Sequence, residues 1–191
     1  VRADSAQKIA SFIGRYVAEP SNPHNREGVE RVEVRHPSSL LMHGVVLIDT
    51  PGVGSTFRHN TEATLNFLPQ CDAALFIVSA DPPITEVELA FLKEVKSKVQ
   101  RIVFVLNKAD LLSAEEQTIA LEFLRRTISE SAGLGPSPTL FPVSSRQALE
   151  AKAKNDPELW NRSGMAAVEQ YLLAFLATEK TAALSVSIAR K

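Results

Sequence analysis

Four short apolar runs set the rhythm of this chain, at residues 45–48, 73–78, 101–106 and 139–143. Each is bounded by polar or turn-forming residues, and each is too short for a helix. That combination predicts strands buried on both faces. Between the runs the spacing changes. Ile9, Phe12, Ile13, Tyr16 and Val17 share one helical face and predict an amphipathic helix over 4–18, capped by Asp4 or Ser5. A short helix is expected over 61–68, stopped by Pro69. Thr85 and Glu88 form a capping-box pair opening a helix that runs to residue 98. Ser113 and Glu116 open another, ended by Gly133, Gly135 and Pro136. Residues 30–36 alternate apolar and charged positions, which predicts an edge strand with one wet face. Residues 147–163 are charged and broken at Asp156-Pro157, and a long helix is expected from Met165 onward.

Strands alternating with helices imply a parallel sheet covered on both sides, a three-layer α/β fold. Right-handed crossovers then bring the strand C-termini to one edge, where ligands of such sheets bind. Asp49, Asn107 and Ser144 each follow an apolar run. All three are therefore expected on that edge.

Composition narrows the class without changing this picture. The 191 residues suit one domain with an appended helix, and 45% hydrophobic content indicates a globular chain. A net charge of −1 gives no case for nucleic-acid binding. The one cysteine, Cys71, reads as a buried structural thiol in a reducing compartment. No apolar run approaches the roughly 18 residues of a membrane span. His24, His36, His43 and His59 lack metal-ligand spacing. Trp160 is expected to anchor the charged segment to the core.

The chemistry lies at the strand ends. Asp49-Thr-Pro-Gly52 taken alone reads equally as a ligand loop or as a surface turn. Asn107-Lys-Ala-Asp110 has a meaning for guanine. An aspartate carboxylate can accept both the ring N1–H and the exocyclic amino group, and adenine presents no such donor pair. The Lys108 stem can lie over the flat base, Asn107 can tie loops together, and Ser145 or its neighbours can offer backbone N–H to the base carbonyl. A polar site of this kind can reject an analogue lacking the matching group by about 10⁴ or more. Either motif alone is weak. Together, 58 residues apart and with Ser144-Ser-Arg146 downstream, they point to a nucleotide site.

In this order the motifs resemble a P-loop NTPase domain of the GTPase type, over residues 30–146. The helix before the edge strand, the Asp-Thr-Pro-Gly-Val-Gly-Ser loop, the Ser-Ala-Asp-Pro-Pro-Ile-Thr-Glu stretch and the long terminal helix resemble the bacterial dynamin-like GTPases. An Era-type ribosome- or tRNA-associated GTPase shares the core motifs and stands as the rival. The resemblance implies that Asp49 holds Mg²⁺ through water, that the Gly52 N–H meets the γ-phosphate, and that Asn107, Lys108 and Asp110 read guanine with Ser144, Ser145 and Arg146 beside the base. It also implies GTP and GDP as ligands, a homodimer across the nucleotide face, membrane remodelling through other regions, and a cytoplasmic or membrane-peripheral location. Residues 1–29 would then be a helix and loop following the phosphate-loop region, and 147–191 a connector and helix leading toward a helical bundle. Val53 stands where small signalling GTPases carry a water-orienting Gln, so no catalytic residue is assigned.

A complete site of this kind needs Gly-x-x-x-x-Gly-Lys-Ser/Thr to cradle phosphates. The sequence contains no Gly-Lys pair. The expectation is a domain truncated at its N-terminus, or else a pseudo-GTPase that serves as an interaction module. Without the first strand, the 45–48 and 73–78 strands are expected either to close on each other or to recruit a strand from another chain. About four missing charge-assisted hydrogen bonds, at roughly 1.5–3 kcal/mol each, rival the ~8 kcal/mol behind micromolar binding. Residues 1–191 are therefore predicted to bind GTP at millimolar strength or weaker. Micromolar binding in equilibrium dialysis would refute this.

Overall fold

In the computed structural model, residues 5–38, 41, 45–50, 64–135 and 137–189 are described. They belong to two compact units, Val1–Ile48 and Asp49–Lys191.

The first unit begins with helix α1, Ala6–Tyr16. The Ser5 hydroxyl caps it by accepting the Lys8 N–H at 3.3 Å. Phe12 and Tyr16, one turn apart, bring their rings to 4.6 Å. Of the expected apolar face, Ile9, Phe12 and Tyr16 are half-buried, whereas Ile13 and Val17 are exposed. The following loop is held by its own asparagines. Buried Asn22 donates from Nδ2 to the Tyr16 carbonyl at 2.8 Å and accepts the Glu27 N–H at 2.9 Å. Asn25 accepts the Val29 N–H and donates back to the Val29 carbonyl.

Two expected strands do not form. Residues 30–36 are irregular, and so are 45–48, where Val46 is 77% exposed and Leu47 60%. Apolar or alternating patterning favours a pleated, half-buried surface, but a strand exists only when its backbone groups find a ladder partner. Among the described residues the only ladders join three other strands. The expectation for 45–48 and 73–78 required a strand from each, and 45–48 carries none.

Those three strands, β1 (Ala73–Ser79), β2 (Arg101–Asn107) and β3 (Leu140–Val143), pair in parallel in the order β1-β2-β3. The helical turn at 64–67 runs into a 3₁₀ turn at Leu68–Gln70 ahead of β1; the start of the helix expected over 61–68 lies outside the described residues. Helix α2, Glu86–Lys98, joins β1 to β2, and α3, Ala114–Ala132, joins β2 to β3. Both open with the expected capping boxes: Thr85 and Glu88 exchange bonds of 2.7 and 3.2 Å, Ser113 and Glu116 of 2.8 and 3.3 Å. Gly133 ends α3 in the left-handed conformation its missing Cβ permits.

The sheet has a helix layer on each side. Phe76, Val78, Phe104 and Leu106 face α2 and α3, packing with Leu92, Val95, Leu124 and Ile128. On the other face Val105 and Val143 meet Met165, Val168 and Leu172 of α6, Met165–Ala189. The three-layer α/β arrangement is therefore present over β2 and β3. On that second face of β1, Leu75 and Ile77 are 40% and 59% exposed. Among the described residues, no helix is long and apolar enough to cross a membrane.

The charged segment after β3 forms two helices, α4 (Ser145–Lys154) and α5 (Pro157–Arg162). Asp156 caps α5 by accepting the Leu159 N–H at 3.0 Å, with Pro157 in the first turn, where its missing N–H costs nothing. Trp160 lies under the Lys152 ammonium at 4.1 Å and so ties α5 to α4; it is not a member of either core cluster. Cys71 is half-buried, its thiol donating to the Phe67 carbonyl at 3.4 Å, and burial pushes its pKa up.

The α5–α6 junction presses directly on β3. Gly164 has φ +77°, and a Cβ there would stand 2.1 Å from the Pro142 carbonyl oxygen. Gly14 has open space. Gly164→Ala should lower unfolding stability by roughly 2 kcal/mol or more, whereas Gly14→Ala should be neutral or stabilising. Equal urea midpoints for the two variants would contradict the close approach.

Candidate nucleotide-base site

β2 ends at Asn107, in register with Val143 of β3 and Ser79 of β1. The residues that follow the two strands are therefore neighbours at one edge of the sheet. Lys108 takes a left-handed conformation, φ +63°, which turns the chain out of β2 into a 3₁₀ turn at Ala109–Leu111. Ala109 is buried, and its carbonyl accepts the Gln117 side-chain amide of α3 at 3.3 Å. This pins the loop and carries Asp110 back over the start of α4.

On the other side Ser144 caps α4. Its hydroxyl accepts the Gln147 N–H at 3.2 Å, and its carbonyl accepts the Ala148 N–H. Its own N–H donates to the carbonyl of buried Ser163 at 2.8 Å, a contact that the bare Gly164 beside it allows. Two bonds then cross between the loops. The Ser145 N–H donates to Asn107 Oδ1 at 3.1 Å, and Arg146 Nη2 donates to Asp110 Oδ2 at 2.8 Å.

Asp110 is the electrostatic centre. Its side chain is 6% exposed, whereas that of Arg146 is 74% exposed. The Ser144 hydroxyl and then the Arg146 guanidinium hold its carboxyl below the usual carboxylate range, against the opposing effect of burial. Asp110 in turn pushes the Arg146 pKa up. Among the described residues no buried side-chain nitrogen or oxygen lacks a partner.

The structure thus brings together Asn107, Asp110, Ser144, Ser145 and Arg146, with Lys108 exposed at the rim. Asn107 does tie the loops. The Ser145 N–H, expected to be available for a base, is already given to Asn107. The Arg146 N–H, one of the first four of α4, has no acceptor inside the helix. Asp49 is exposed, and the strand expected to carry it to this edge is not formed. Gly52, Val53 and His59 lie outside the described residues. Among the described residues no cluster of three His, Cys, Asp or Glu is placed to hold a metal. The sequence reading missed Gln117, Ser163 and Gly164. Gly164 as a helix stop ahead of Met165 was the available signal.

A family model described as "Dynamin family" matches residues 4–109, more than half of the chain. The chain belongs to the dynamin family. Its parallel α/β sheet is consistent with that family's P-loop GTPase fold. It is 39% identical over 165 residues to an uncharacterised protein from the xynA 3′ region of Caldicellulosiruptor, covering 86% of this chain and 41% of that protein. A probable transmembrane GTPase, FZO-like and chloroplastic, from Arabidopsis thaliana is 31% identical over 150 residues, 71% of this chain and 16% of that protein. The bacterial dynamin-like protein of Nostoc punctiforme is 27% identical over 200 residues, 91% of this chain and 28% of that protein. The chain thus spans less than half the length of each of these relatives.

Because the folded pKa of Asp110 is depressed, its stabilising contribution is complete above the unfolded value of about 3.9 and is lost as pH falls through the folded value. Arg146→Gln should raise the Asp110 carboxyl pKa toward the ordinary value, and Ser144→Ala should raise it as well. Carboxyl ¹³C titrations read this directly; an unmoved Asp110 in both variants would contradict the arrangement.

Proposed function

We propose that this chain carries the guanine-reading part of a dynamin-family GTPase. The observation that supports it most is the Asn107–Ser145 bond beside Asp110, which ties together the loops that leave β2 and β3. In this reading the Asp110 carboxylate accepts the guanine N1–H and amino group. The exposed Lys108 stem covers the face of the base, and the Arg146 N–H at the start of α4 meets the carbonyl oxygen. Ser144 orients Asp110 through its hydroxyl.

The phosphate side is assigned by family resemblance. Asp49 would hold Mg²⁺ through water, and the Gly52 N–H would face the terminal phosphate. Magnesium carried with a nucleotide takes one or two carboxylates plus phosphate oxygens, so a single exposed aspartate suits it. When bound, the ion would neutralise charge on the phosphate oxygens. No Gly-Lys phosphate cradle occurs in the sequence, so the chain by itself is a weak nucleotide binder. In the whole protein the same reading entails GTP hydrolysis, self-association across the nucleotide face and coupling to membrane remodelling; a relative described as a transmembrane GTPase supports the last of these.

The test exploits donor–acceptor chemistry. Guanine carries an amino donor at C2, and xanthine carries a carbonyl acceptor there. Asp110→Asn replaces a carboxylate oxygen with an NH₂ donor. It should turn a preference for GDP over xanthosine diphosphate into the reverse, by about tenfold or more. Chemical-shift titration at millimolar nucleotide measures both affinities. An Asp110→Asn variant that still prefers GDP would overturn the reading.

A further inference from the structure

The acid assigned to the base is already occupied. Arg146 Nη2 sits 2.8 Å from Asp110 Oδ2. The guanidinium group and the N1–C2–N2 edge of guanine are chemically alike: each presents N–H donors from neighbouring nitrogens attached to one carbon. What satisfies Asp110 now is therefore the same kind of group that the base would offer.

We propose that Arg146 is a built-in competitor for the base: its guanidinium fills the Asp110 carboxylate when nucleotide is absent, and guanine binds by displacing it. This rests on the guanine reading of the site and adds a regulatory element to it.

Three observations carry the proposal. First, the burial is one-sided. The Asp110 side chain is 6% exposed and that of Arg146 74%, so a solvent-facing arm closes over a shielded acid. Such an arm can move without disturbing packing. Second, an alternative partner lies within reach. Glu150 stands four residues along α4, one turn from Arg146 and on the same face. At present Glu150 holds Lys154 at 2.6 Å. Lys154 is 65% exposed and also feels the charge of Asp156, so Glu150 can accept Arg146 when the base takes Asp110. Third, the competitor meets a physical need. A shielded carboxylate with no cationic or donor partner is costly. Ser144 and Arg146 each supply a side-chain hydrogen bond and the Asp110 N–H a weaker third, so Arg146 is the one cationic partner of the acid in this arrangement. The cost appears in affinity, because the base must replace a bond that already exists.

The test uses the 191-residue chain, with GDP and ADP as probes in chemical-shift titrations. Arg146→Gln should bind GDP about three- to tenfold more tightly than wild type, since it removes a half-exposed ion pair from the competition. ADP affinity should not change. Glu150→Gln, which removes the alternative partner, should weaken GDP binding about twofold. Arg146→Lys should fall between wild type and Arg146→Gln, because a point ammonium reproduces the charge but not the fork. Both sites are exposed at the side chain, so the three variants should fold, and thermal melts check it. If wild type prefers GDP to ADP but Arg146→Gln binds GDP no more tightly, the competitor is overturned and the guanine reading survives. If neither wild type nor Arg146→Gln distinguishes GDP from ADP, or neither binds GDP at the solubility limit, the guanine reading fails and the competitor with it.

Discussion

Among the described residues β2 is the strand with a hydrogen-bonded neighbour on both sides, and the site depends on that. From Val103 to Leu106 it is buried on both faces, between the α2–α3 layer and α6. A strand locked in two ladders and two cores has no freedom to slip, because a one-residue shift would turn every side chain to the wrong layer. The pairing of Asn107 with Val143 is thereby fixed, and with it the distance between the loops that leave β2 and β3. The Asn107–Ser145 bond reports this register at the sheet edge.

The polar layer above that edge is built so that each group serves twice. Ser144 caps a helix with its hydroxyl oxygen, gives its hydroxyl hydrogen to Asp110, and spends its N–H on Ser163. Asn107 terminates a strand and holds the first N–H of α4. With this sharing, no buried polar side-chain atom among the described residues at the edge is left over. It also means that substitutions here are not independent. Removing Ser144 disturbs a helix start and an acid at once, so single-variant effects at this edge will not add.

Much of this was legible in the sequence. Helix starts with reciprocal Ser/Thr and Glu bonding are local, so Thr85–Glu88 and Ser113–Glu116 could be read directly. The runs 73–78 and 101–106 were also readable as strands, because their apolar residues and flanking helices agree. The motif at 107–110 and the Ser-Ser-Arg at 144–146 met as the topology required. What was not legible depended on neighbours. Residues 45–48 have the composition of a buried strand, yet Val46 and Leu47 lie in solvent; the pattern records a preference for burial, not the presence of a partner. The helices α4 and α5 were hidden by charge, although Asp156-Pro157 is a helix-start signature rather than a break. The Ser163 carbonyl was invisible because a main-chain acceptor leaves no mark on residue type.

Lys108 carries a consequence of another sort. At φ +63° an L-residue other than glycine or asparagine sits in a region that costs on the order of 1 kcal/mol. A designer optimising this chain for thermal tolerance would replace it first, since glycine relaxes the turn without touching the core. That change would shorten the rim by a four-carbon stem and a charge. Under the proposed guanine reading, robustness and recognition therefore conflict at one backbone position, and a screen scored on melting temperature alone would select against an exposed lysine that this reading assigns to the base.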